Sequence, residues 1–327
     1  MDDHNAAAPA ATFAAQRPTL GASLYVPTTH KDLLAIARGD KLGHLRSVIF
    51  CTEDAIAERD LSYALFNLSL ALQNMGEHSA TLRFVRVRNA EVLGRVLQMP
   101  GAHKLSGFVL PKTTRHNLAS YVGQLGHTQH LLMPTLETAD VFDDTEMRRL
   151  CRSLLAPALR PRILALRIGG NDLLALLGLR RPAQGTIYQT PLGPVIGRLV
   201  TIFRPHGFQL SAPVFEQLAQ TAWLDTEIAQ DVAHGLTAKT AIHPDQVVQI
   251  ERHYQVTQAD LELAQRILEP GGAAVFRMQD AMCEVATHGA WAHAVVERAR
   301  QFGIGGMNVK MVSRIDNGVD GIHVDRR

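Results

Sequence analysis

Residues 130–137 read HLLMPTLE and residues 163–172 read ILALRIGGND. Each opens as a short apolar run and closes on a carboxylate, Glu137 in the first and Asp172 in the second. Runs of this length, bounded by turn residues or charge, read as buried strands. Working outward, the same unit recurs at Ser23–Val26, Ser47–Cys51, Leu82–Val87, Gly107–Leu110, Phe208–Ser211 and Thr240–Ile242. Each run is followed by a segment with helical spacing, such as Leu61–Gln73 or Arg148–Leu159. With His130–Pro134 and Ile163–Ile168 there are eight strand–helix alternations, the number expected of a (β/α)8 TIM barrel. A doubly wound sheet shows the same alternation, so counting alone leaves it open; the barrel is the reading adopted.

The expected organisation is a leader over 1–20, a barrel over 21–257, a C-terminal helical extension over 258–302 and an irregular tail over 303–327. The extension is read as two helices, near Gln258–Leu268 and Trp291–Phe302. The Pro/Gly-rich stretch Arg180–Gly193 is expected to loop over the top of the barrel. Gly303-Ile304-Gly305-Gly306 follows a helix rather than a strand, so it reads as tail and not as a phosphate loop.

Composition narrows the partners. The chain has 327 residues, 46% of them hydrophobic, enough to bury a large core. Its 33 basic and 31 acidic residues nearly cancel, and no Lys/Arg run reaches the length of a nucleic-acid or membrane patch. A small molecule is the expected ligand, with no nucleic acid and no membrane. Cys51, Cys151 and Cys283 form no C-x-x-C pair, which argues against a disulfide framework or structural zinc. The opening residues lack the charge and apolar core of a signal peptide, and no run of 18 apolar residues exists. The cytoplasm is the expected compartment.

In a TIM barrel the active site lies at the C-terminal ends of the strands. That rule selects Thr28, Glu53 and Asp54, Arg86 to Asn89, Lys112, Glu137, Asn171 with Asp172, and His243. Glu137 and Asp172, on neighbouring strands with no Cys or paired His nearby, suit a hard cation such as Mg2+. Gly169 and Gly170 let backbone approach a ligand closely. The bland alternative makes Asp172 a helix cap and Glu137 a solvated loop acid. Arg86 is placed to hold a substrate carboxylate by paired hydrogen bonds, or else to pair with an internal acid. Lys112, Gly170 and Asn171 stand beside it as candidate substrate contacts. His127 and His130 flank the start of a strand, at the wrong end for catalysis.

These segments carry a resemblance. SLYVPTT (23–29), SVIFCTEDAI (47–56), RFVRVRN (83–89), GFVLPKTT (107–114), LLMPTLETADV (131–141), LRIGGNDLLALLG (166–178) and TAKTAIHPDQV (237–247) occur in the order of the superfamily of citrate lyase β subunits, malyl-CoA lyases and, more distantly, HpcH/HpaI class II aldolases. The chain resembles that superfamily from about residue 21 to about 300. The resemblance implies a TIM barrel with a Mg2+ site at Glu137 and Asp172, and a substrate-carboxylate arginine at Arg86. It also implies a homotrimer or homohexamer.

The departures are local. Cys51-Thr52-Glu53-Asp54 stands where citrate lyases have Asp-Leu-Glu-Asp, and Gly21-Ala22-Ser23 stands where an Arg often precedes strand one. Met282-Cys283-Glu284-Val285-Ala286 replaces a Met-x-Asp-x-Pro segment. This combination is similar to a divergent branch of C–C bond lyases found with tellurite-resistance gene clusters. The expected reaction is Mg2+-dependent cleavage or formation of a C–C bond in a 2-oxo or 2-hydroxy carboxylate, with Glu53, Asp54 or Glu284 moving the proton. The alternatives are an acyl-CoA lyase or thioesterase of the malyl, citramalyl or citryl type, and a non-catalytic ligand-binding or assembly subunit.

Overall fold

The computed structural model describes residues 18–278 and 281–305. Eight strands form one parallel sheet: β1 Gly21–Pro27, β2 Ser47–Cys51, β3 Leu82–Arg86, β4 Gly107–Leu110, β5 Leu131–Leu136, β6 Leu166–Ile168, β7 Leu210–Ser211 and β8 Ala238–Ala241. Neighbours in sequence are neighbours in space, and β1 also pairs with β8. The Ala212–Lys239 bridge completes the circle, with Ala212 N donating to Ala238 O at 2.7 Å. The expected barrel is thus present, and all eight apolar runs fall on its strands. Strand β2 is buried along its whole length, as a strand covered on both faces must be.

The helices are α1 Leu33–Arg38, α2 Leu61–Asn74, α3 Ala90–Leu97, α4 Leu118–Leu125, α5 Asp144–Leu154, α6 Gly170–Leu176, α7 Leu192–Phe203, α8 Thr221–Ala233 and α9 Pro244–Tyr254. They ring the sheet, and the main core fills the layer between, with Phe50, Phe108, Leu72 and Phe203 among its residues. A second, smaller core plugs the barrel interior through Ile49, Phe84, Val109 and Met133. Leu20 joins that plug, and its carbonyl accepts a hydrogen bond from Ser47 Oγ at 2.8 Å. The barrel floor therefore begins inside the stretch expected to be leader, while residues 1–17 lie outside the described ones.

Helix α5 starts four residues before the expected Arg148. Asp143 caps it, accepting from the Thr145 and Glu146 amides at 2.7 and 3.4 Å. It ends near Pro157, whose ring disfavours helix in the preceding residue. Arg180–Gly193 does not arch freely over the barrel. Arg181, Thr186 and Ile187 within it are buried, and Gln189 Oε1 accepts the Thr186 amide at 2.9 Å across a 3-10 turn.

The extension consists of α10 Gln258–Ile267, the hairpin β9 Val275–Met278 with β10 Ala281–Glu284, and α11 Val285–Phe302. It has its own small core of Ala264, Ile267, Ala292 and Val295, against which Phe276 packs. Helix α11 begins six residues before the expected Trp291. Its expected apolar stripe is split: Val295 and Phe302 turn inward, whereas Trp291 and Ala294 face outward. Beyond it, Val256 N donates to Gly303 O and Gly305 N to Val256 O, so the glycine cluster ties the chain down rather than opening a loop. The rest of the tail lies outside the described residues.

Candidate active site

The mouth gathers six of the residues singled out from the sequence. Arg86, the last residue of β3, directs one nitrogen at three acids: Nη2 lies 2.7 Å from Glu53 Oε2, 2.9 Å from Asp54 Oδ2 and 3.3 Å from Glu137 Oε1. Its Nε is buried and has no hydrogen-bond partner among the described residues, a donor left over in the site. Lys112 reaches Glu53 Oε1 at 3.1 Å and Asp172 Oδ1 at 3.2 Å, so it spans the mouth from β2 to β6. Its backbone is in the left-handed region at φ 48, which turns its amide onto Glu137 Oε1 at 2.8 Å. A non-glycine residue adopts that conformation at a cost and is held there by its surroundings.

Glu137 is the best buried of the acids at the mouth, 4% exposed. Burial raises its carboxyl more than Arg86 lowers it, and Asp172's like charge adds to the rise, which reaches about 7. Gly169 is why the carboxylate fits: a Cβ there would stand 2.4 Å from Glu137 Oε2. Gly170 opens α6 under similar constraint, since its Cβ would meet Ile187 and Pro213 within 2.8 Å. Gly170 is buried, Asn171 is exposed and Asp172 is half-buried. Two carboxylates that repel each other across a bare glycine backbone are a donor set fitted to a hard divalent cation. Among the described residues no group of three or more His, Cys, Asp or Glu gathers as a metal cluster.

Glu53 and Asp54 are pushed apart. Burial and the hydrogen bond with Asp54 raise Glu53. Burial works against Asp54's charge too, but the hydrogen bond from Glu53 and the cations Arg86 and Lys112 prevail and hold its carboxyl low. Neighbouring acids driven in opposite directions suit one to exchange a proton and the other to remain charged. Glu284 is not brought to this cluster. It ends β10 exposed, and among the described residues no hydrogen bond or ion pair joins its carboxylate to the mouth. His243 caps α9 through Nδ1, and His130 is buried against Phe108 at the other end of the strands.

Residues 14–304 match the model of a family described as C–C bond lyase of the TIM-barrel fold. The chain belongs to that family. This C–C bond lyase is 27% identical over 250 residues to a (3S)-malyl-CoA thioesterase of Cereibacter sphaeroides, covering 74% of this chain and 80% of the relative. A citrate lyase from Burkholderia xenovorans shares its fold at a TM-score of 0.69 and 16% identity, over 88% of this chain and 94% of the other. CitE from Mycobacterium tuberculosis, solved with magnesium, acetoacetate and coenzyme A, aligns at 0.66 and 19% identity over 87% of this chain and all of that one.

Two features of the lyase escape a strand-end reading. Tyr25 and Arg167 point into the barrel from the middle of their strands, where both guanidiniums of Arg86 and Arg167 lie within 6 Å of the Tyr25 ring centre. The signal was an Arg inside the apolar run ILALRI. The other is a buried charge network behind the site. Lys239 Nζ contacts Glu227 Oε1 at 2.9 Å and Asp231 Oδ2 at 2.8 Å, and Arg181 pairs with Glu227 and Glu216. Glu227 Oε2 also accepts the Ile187 amide at 2.8 Å, which sets Ile187 against Gly170.

Proposed function

We propose that this lyase is Mg2+-dependent and makes or breaks a carbon–carbon bond in a 2-oxo or 2-hydroxy carboxylate. The observation that carries the reading is the convergence of Glu137 and Asp172 over the bare Gly169 backbone, beside Arg86 and Lys112. Mg2+ held by that pair would supply Lewis-acid polarisation of the substrate's 2-oxygen and stabilise the enolate charge. Arg86 offers its unused Nε to the substrate carboxylate, which fixes orientation. Lys112, with the backbone at Gly170 and Asn171, lines the approach. Glu53 moves the proton and Asp54 stays ionised; Glu284 is a third candidate that no contact yet supports. The magnesium complex of the tuberculosis CitE supports the metal.

A thioester substrate is the alternative, and the malyl-CoA thioesterase relative favours it. Cys51-Thr52, Gly21-Ala22-Ser23 and Glu284 depart from the acyl-CoA pattern and favour free acids, as does the resemblance to the branch found with tellurite-resistance clusters. Assay of malyl-CoA and citramalyl-CoA beside oxaloacetate and other free oxo acids separates the two. Turnover of either thioester at about 1 per second or faster restores the acyl-CoA reading. Loss of carbon–carbon chemistry with every acid tried would favour a binding subunit.

Gly169→Ala tests the cradle. Gly169 has φ −88, so alanine costs no backbone strain, yet its Cβ would displace Glu137. A misplacement of about 1 Å lowers the rate by on the order of 100-fold. Wild-type activity in this variant contradicts the assignment.

A cytoplasmic homotrimer or homohexamer is the assembly we infer. Tyr63, Phe66 and Leu70 are exposed together along α2, which supports a contact between copies. Light scattering at micromolar concentration should give at least three protomers; a monomer contradicts it.

A further inference from the structure

Among the described residues, two buried arginines make no ion pair, Arg83 outside the barrel and Arg167 inside it. Lys239 and Arg181 each contact two carboxylates, and Arg86 contacts three. Arg83, on the outer face, rests on the carbonyls of Gly76 and Lys104. Arg167 is 2% exposed and makes no ion pair among the described residues. Its contacts are neutral: Thr240 Oγ1 at 2.5 Å, Ser23 Oγ at 3.5 Å, Met133 Sδ at 3.8 Å and the face of Tyr25. A guanidinium has five N–H donors, and burying it uncompensated costs several kcal/mol.

The layer around it has spare donors as well. Thr135 on β5 and Ser211 on β7 are Arg167's neighbours in register, so the three side chains share the interior face. Both hydroxyls are buried and have no hydrogen-bond partner among the described residues, like Arg86 Nε above them. Tyr25 and Thr240, which touch Arg167, are partly exposed although both face the interior. The mouth is the open side of this layer, because Leu20 and Ala238 are buried at its floor. Glu137 lies two residues above Thr135 on the same chain, which sets the layers about 6.6 Å apart along the strand.

We propose that Arg167, with Thr135 and Ser211, binds a second carboxylate, so that the substrate is a dicarboxylate of four or five carbons lying down the barrel axis. Its 2-oxygen end meets Glu137, Asp172 and Arg86, and its distal carboxylate meets Arg167. The orientation rests on the functional reading above; the diacid preference does not.

Lactate and malate test it, since malate is lactate with a carboxylate on its methyl group; 2-hydroxyglutarate extends it by one carbon. Succinate, which lacks the 2-oxygen, probes the distal site alone. Binding is measured by calorimetry on the full chain with and without Mg2+. Wild type should bind one of the hydroxy diacids at least 10-fold more tightly than lactate. Arg167→Met should bring that diacid to lactate's affinity while leaving lactate within twofold. If Arg167→Met does not fold, Ser211→Ala and Thr135→Val should each weaken the diacid several-fold and spare lactate. An unchanged diacid-to-lactate ratio in the variants, or no diacid preference in wild type, overturns the proposal. Diacid and succinate binding that needs Arg167 but not Mg2+ upholds it and overturns the metal reading instead.

Discussion

Lys239→Met should cost about 3–5 kcal/mol of stability, the range for removing one partner of a buried ion pair. Lys239, Glu227 and Asp231 are fully buried, and the lysine bridges the two acids. Without it, Glu227 keeps Arg181, but among the described residues the Asp231 carboxylate keeps only the Tyr188 hydroxyl at 2.7 Å. Adding Asp231→Leu removes the stranded charge, and the double variant should recover part of the loss. The network also positions Ile187 beneath Gly170, so the single variant should loosen α6 and lower activity below the melting transition. Urea unfolding of the wild type and both variants measures this. A single variant within about 0.5 kcal/mol of wild type, the scatter of ordinary surface substitutions, would show that the acids are neutralised some other way.

Glu137→Gln should lower turnover by on the order of 1,000-fold or more, as loss of charge stabilisation at the reacting oxygen does. The substitution is nearly isosteric. The amide oxygen, placed at Oε1, can still accept from the Lys112 amide and from Arg86, but the amide nitrogen then takes the Oε2 position, 3.5 Å from Arg86 Nη2. That mismatch costs about 1–3 kcal/mol, so a folded protein is expected. Steady-state rates and circular dichroism separate the two effects. A folded variant keeping more than a tenth of wild-type activity would remove Glu137 from the chemistry.

The strands and the mouth were legible in the sequence for a common reason. A parallel strand buried on both faces must be continuously apolar, and the chain turns polar where it leaves the sheet; Glu137, Asp172 and Lys112 all stand at such edges. Helix starts were less legible, because Asp143 caps α5 ahead of the apolar periodicity. Interior polar residues were hidden for a different reason. Barrel strands alternate between core and interior, so Arg167 in ILALRI looks like a flaw in an apolar run until register places it beside Thr135 and Ser211. Lys239 and Arg181 meet Glu227 from β8 and from the α6–α7 connection, contacts that no local spacing encodes. Glu284 follows the motif order but ends a hairpin that packs on α10 and α11, away from the mouth contacts.

Asp172 offers the most direct test of the metal assignment, because it is half-exposed and its ion pair is with Lys112, so Asp172→Ala disturbs little else. A ligand that binds only the folded state stabilises it by about 2.7 kcal/mol at 100 times its Kd. Melting temperature is followed against Mg2+ concentration for wild type and Asp172→Ala. The expected result is a saturable rise in wild type and none in a variant that folds normally; equal rises in both would contradict a cation held by Glu137 and Asp172.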